Sequence, residues 1–151
     1  MKEFKDQFSE LQGDMISICL EYVEDRADKV YVYGSCEEGI TASAFFFLIN
    51  DIYVKPHKLN DAVKGSDEKY DTSSTRNLMV LNILNEDIEK VSVLCKEHQR
   101  EMPTEMKLIY DVKSGKFKAE YKYDFMYIHD DIKTSDDIYD EWFEEVKKSK
   151  L

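Results

Sequence analysis

His129-Asp130-Asp131, with Asp136 or Asp137 a few positions on, is the one stretch of this chain whose residue types could hold a hard divalent cation and activate water on it. Clustered carboxylate oxygens suit such cations, but the spacing lacks the glycine of a calcium loop, and the plainer reading is a solvated acidic turn. Cys95 and His98, three apart, have the spacing of half a zinc site, yet no second Cys or His pair accompanies them. Cys36 precedes Glu37 and Glu38, whose charges disfavour the thiolate that a nucleophile needs. The carboxylate pairs Glu37/Glu38, Asp136/Asp137 and Glu144/Glu145 could do acid–base work only inside a cleft that separates their environments. A chain this acidic supplies such pairs by chance. Glycine-rich phosphate loops and a Gly-x-Ser-x-Gly elbow are both missing. Catalytic residues, cofactor and metal are accordingly expected to be none.

Binding chemistry is better represented. Between Asp124 and Glu145 nine carboxylates stand against one basic residue, Lys133. Met126, Tyr127, Ile128, Ile132, Ile138, Tyr139, Trp142, Phe143 and Val146 run through the same block. A disordered acidic tail would lack that apolar content, so the block reads as a folded element that fixes a negative potential. Such a surface fits a basic partner. Asp130, Asp131, Asp136, Asp137, Asp140, Glu141 and Glu144 are the expected contact acids, with Tyr127 and Tyr139 as neighbouring aromatic contacts. The loop at 59–75 and the Glu37-Glu38 turn are the other places such a contact could fall.

The net charge of −11 repels phosphate backbones and anionic membranes, which argues against nucleic acid or membrane as partner. At 151 residues a single α+β domain over 1–151 is expected, large enough to bury roughly two-thirds of its unfolded surface. Three widely spaced cysteines form no disulfide framework and fit a reducing cytoplasm. Residues 1–24 carry acids and no long apolar run, so neither a signal peptide nor a membrane span is expected.

The elements that must position these residues follow from hydrophobic period. Phe4, Phe8, Leu11, Met15, Ile18, Cys19 and Tyr22 make one helical stripe. Val30 to Tyr33 reads as a strand. Thr41 to Ile49 reads as a longer one, apolar on both faces at Phe45-Phe46-Phe47 and hence central in a sheet. Asn50-Asp51 turns the chain into a short strand, Ile52 to Val54, ended by Pro56. Residues 59–75 lapse into a charged loop. Leu78 through Cys95 carry a second helical stripe, which Asn85 could interrupt as a cap. Met106, Leu108, Tyr110 and Val112 alternate with polar positions, as do Phe117, Ala119, Tyr121 and Tyr123, around the turn at Lys113-Ser114-Gly115-Lys116. The last helix runs from about Ser135 to Lys148, with a capping box of Thr134 and Asp137. The fold class is α+β: an antiparallel sheet of about five strands with helices packed on one face, in the order α-β-β-β-α-β-β-α.

Three stretches together carry a family resemblance: Lys29-Val30-Tyr31-Val32-Tyr33 leading to Phe45-Phe46-Phe47, the hairpin from Pro103-Thr104 to Tyr121-Lys122-Tyr123-Asp124, and Trp142-Phe143-Glu144-Glu145-Val146. The arrangement resembles the YezG-like family of small acidic immunity proteins. That resemblance implies a cytoplasmic antitoxin of Gram-positive bacteria, a partner of LXG-type or related polymorphic secreted toxins whose C-terminal domains are often nucleases. It brings no catalytic residues with it. Three functions stay open on the residues. One is a monomeric or homodimeric immunity protein that binds a basic toxin domain. The others are a small metal-dependent hydrolase using His129, Asp130 and Asp131, and a non-catalytic adaptor subunit.

Overall fold

Val30 to Tyr33 lies at the centre of a five-stranded antiparallel sheet in a computed structural model that describes residues 3–151. The central strand β1 (Lys29–Glu37) pairs on one side with β2 (Ile40–Ile49) and on the other with β4 (Glu105–Asp111). The edges are β3 (Ile52–Val54) and β5 (Phe117–Lys122), giving the order β3-β2-β1-β4-β5. Two hairpins close through two-residue turns with left-handed backbone, Glu38-Gly39 at φ 51° and 77° and Asn50-Asp51 at φ 52° and 65°. That geometry matches the twist of the flanking strands. The β4–β5 register pairs Met106 with Tyr121, Leu108 with Ala119 and Tyr110 with Phe117, as the alternation predicts.

Side chains alternate across a strand, so the sheet has two faces to cover. Val30, Val32, Phe45, Phe47, Met106 and Leu108 meet α1 (Phe4–Tyr22) and α2 (Ser74–Glu97), through Met15, Cys19, Tyr22, Leu84 and Ile88. Gly34 lets α2 lie close, since a Cβ there would stand 3.1 Å from Ile88 Cδ1. Tyr31, Tyr33 and Phe46 point the other way and are covered by Ile138, Trp142, Phe143 and Val146 of α3 (Ser135–Ser149).

The α+β class, the five antiparallel strands and the element order are those expected from the sequence. The placement of helices on one face is corrected: α1 and α2 share one face and α3 lies on the other. The cause is that β1 and β2 are apolar on both sides, so neither face can be left wet.

Two local features also differ from expectation. α2 runs unbroken through Asn85, whose side-chain oxygen accepts from Ser43 Oγ at 2.8 Å and caps nothing. The stretch read as a loop at 59–75 begins within a 3-10 helix, Pro56–Ala62, that buries Leu59 and Ala62. From within it the Asn60 amide holds Tyr70, further along the stretch, by two hydrogen bonds, 2.8 and 3.0 Å, and Arg26 stacks on the Tyr70 ring. No described helix is long and apolar enough to cross a membrane.

Candidate partner-binding surface

α3 is strongly two-sided: Ile138, Trp142, Phe143 and Val146 are buried, so Asp136, Asp137, Asp140, Glu141, Glu144 and Glu145 stand exposed on its outer side. Its start is fixed by the predicted capping box. Thr134 Oγ1 accepts from Asp137 N–H at 3.3 Å, and the Asp137 carboxylate accepts from Thr134 N–H at 2.9 Å.

Several acids also hold the protein together. Asp140 pairs with Lys55, whose ammonium lies 5.1 Å from the centroids of both Tyr139 and Phe143. Glu141 pairs with Lys133 at 2.9 Å. Asp130 accepts from the backbone N–H groups of Lys133 and Ile132, at 2.9 and 2.8 Å, and those bonds hold its carboxyl below the usual carboxylate range. Among the described residues no ion pair involves Asp131, Asp136 or Glu144. Tyr127 and Tyr139 are half-buried, with hydroxyls turned inward: Tyr127 to Ser35 Oγ at 2.9 Å, Tyr139 to the Phe45 carbonyl at 2.6 Å.

Residues 123–134 form a strap from β5 to α3 across the far end of the same sheet face. Its anchor is a residue that the sequence placed in an exposed turn. Glu37 is 0 % exposed at the end of β1. Its Oε2 accepts from Met126 N–H at 2.9 Å, and its Oε1 accepts from Tyr127 and Ile128 N–H at 3.2 and 3.0 Å. Thr104 adds a bond from Oγ1 to the Asp124 carbonyl, 2.6 Å long. Strand alternation through Tyr31, Tyr33 and Ser35 marks Glu37 as facing this side, but nothing in the sequence names its partners, which lie about ninety residues away.

Where the sequence offered catalysis, the geometry directs the same groups elsewhere. His129 Nε2 faces Glu38 Oε1 at 3.1 Å and its ring packs on Phe125, while His98 packs edge-on against Phe4. Among the described residues no group of three or more His, Cys, Asp or Glu is placed to hold a metal. Burial pushes the Cys19, Cys36 and Cys95 thiols up, away from the nucleophilic thiolate. Acid is also present on the opposite side of the molecule. A groove of about 620 Å³ between α1 and α2 is lined by Glu10, Asp14, Glu86, Glu89 and Glu97, with Lys90 and apolar residues among them.

Glu105 beside the strap is a second buried carboxylate, 2 % exposed, with Oε1 unpartnered and Lys107 Nζ at 4.0 Å from Oε2. Burial raises its pKa above the usual carboxylate range; Lys107 and Lys122 pull it back, and Glu37 and Glu120 add to the rise. The folded state therefore holds this proton more tightly than the unfolded chain. Its contribution is least favourable at neutral pH and improves as pH falls through the raised value toward the ordinary one. Glu105→Gln should accordingly raise Tm at pH 7, by an amount that shrinks on acidification to about pH 4, near the ordinary carboxylate value. Thermal melts of both proteins across that range test this, and a Tm difference independent of pH would contradict it.

A search of curated proteins found no match to this chain. A family model for YezG-like immunity proteins matches residues 14–144, from the middle of α1 through all five strands, the strap and most of α3. The chain belongs to the YezG-like immunity protein family.

Proposed function

We propose that this immunity protein neutralises a cognate secreted toxin, a nuclease of the LXG or related polymorphic type, by stoichiometric contact in the cytoplasm, and that it performs no catalysis itself. The observation that carries this reading is the acid-dense outer side of α3 and its strap, fixed to the sheet by buried apolar residues and by Glu37. A nuclease site is basic because it must hold phosphate. A rigid acidic surface can occupy such a site, with long-range attraction raising the association rate and close pairs slowing dissociation.

The test is a salt series of association rates with a cognate toxin domain, sought first in the reading frames next to this chain's own. Asp131, Asp136 and Glu144 are the acids to neutralise, since no internal ion pair of theirs is lost. Asp131→Asn/Asp136→Asn/Glu144→Gln should associate several-fold more slowly than wild type at low salt. The two should converge as salt rises, because exposed charges are screened beyond about 8 Å at physiological ionic strength. Absence of any complex would refute the immunity reading for this pair. A complex with identical rates and salt slopes would refute the acidic surface alone, and would move attention to the α1/α2 groove.

A further inference from the structure

Ile132 is 88 % exposed, although Ile138 and Val146 of the α3 side are buried and Leu48, Ile109 and Ile128 partly so, and Phe125 on the same strap is 51 % exposed. Both sit among the acids of the 124–145 block, beside Asp124 and Asp131. We propose that the strap is the recognition element of this surface, with Ile132 and Phe125 as apolar anchors that enter sockets on a basic toxin face. This rests on the immunity reading above and assigns its contact residues.

Three features support it. The anchors are presented by backbone that is already fixed. Glu37 holds the segment at Met126 to Ile128, the Asp130 carboxylate holds the N–H groups of Ile132 and Lys133, and the capping box fixes Thr134. A partner would not have to order the strap on binding, which is a major cost of association for loops. The anchors also have the character of energetic centres in interfaces: apolar residues, ringed by polar ones that exclude water. Charge selects the occupant. A two-fold contact between copies of this chain would place one acid-dense strap against another, and like charge opposes it. A basic surface with apolar sockets meets both the anchors and the acids.

The experiment is an equilibrium titration of the same cognate toxin domain with Ile132→Ala and Phe125→Ala. Leu78→Ala and Met79→Ala on α2, at 56 % and 60 % exposure, serve as controls on the opposite side of the sheet. Each strap variant should keep the wild-type unfolding midpoint and bind roughly 10- to 100-fold more weakly, while the controls bind as wild type. Wild-type affinity in both strap variants overturns the anchor assignment and leaves the immunity reading standing. Equal losses in the α2 controls overturn it too. Failure of the wild-type protein to bind overturns the reading on which it rests.

Discussion

Trp142→Ala is expected to lower the free energy of unfolding by about 3–5 kcal/mol, the range for deleting a large buried aromatic. Trp142 is 5 % exposed at the middle of α3 and meets the sheet edge-on, 5.1 Å from the Phe46 ring and 6.1 Å from Tyr31. The Lys107 ammonium lies 5.7 Å from its ring centroid. This aromatic cluster, with the Lys55–Asp140 pair and the Tyr139 hydrogen bond to the Phe45 carbonyl, ties α3 to the sheet. The loss is a large share of the roughly 5–15 kcal/mol that stabilises a domain. Because α1 and α2 cover the other face, their core amides should stay protected from exchange in the variant while those of α3 open more readily. Denaturant titration followed by far-UV circular dichroism, with amide exchange, checks both statements. An unchanged midpoint would mean that α3 is held by something other than its buried ring.

The legible parts of this fold are those written in local period. The β4–β5 hairpin follows directly from apolar alternation on either side of Lys113 to Lys116, and the register Met106 to Tyr121 is the consequence. The α3 cap follows from Thr134 and Asp137 three apart. The face that α3 covers was not legible as stated, although the means were present. Phe45-Phe46-Phe47 is apolar on both sides, and a sheet so built needs cover on both. The short 3-10 helix escaped because Leu59 and Ala62 are too few to show a period.

Of the candidate surface, the exposure of the α3 acids was legible from amphipathicity alone. Which acids also serve the fold was not. Asp140 finds Lys55 85 residues away in sequence, and Tyr139 reaches the Phe45 carbonyl across the sheet. Tyrosines in an acidic block suggest contact residues by composition, while packing turns these hydroxyls inward. Glu37 is the sharpest case. Two adjacent glutamates before a glycine read as a wet turn, yet strand alternation puts Glu37 on the α3 face with Tyr33 and Ser35, under the strap, and Glu38 outside.

Glu37 should accordingly be the most sensitive polar residue of the α3 side. Its carboxylate is fully buried and is the shared acceptor for three consecutive backbone N–H groups. Hydrogen bonds to a charged acceptor contribute about 1.5–3 kcal/mol each, and a buried donor left unsatisfied costs about 1–3 kcal/mol. Glu37→Ala removes all three acceptor contacts at once. If the strap stays closed, three buried donors are left unsatisfied, at about 1–3 kcal/mol each. The strap can escape part of it by lifting so that water reaches the freed N–H groups. Both routes give the same local result, loss of exchange protection at Met126, Tyr127 and Ile128. Glu37→Gln separates charge from shape. Its oxygen can keep the two bonds from Tyr127 and Ile128, but its NH₂ then meets Met126 N–H donor to donor, so it should fall between wild type and alanine. Amide exchange at these three positions, read with the unfolding midpoint, should rank wild type above glutamine above alanine. Wild-type protection in the alanine variant would show that the strap is held without Glu37. Toxin affinity should follow the same order, since a lifted strap no longer presents Phe125 and Ile132 in one fixed geometry.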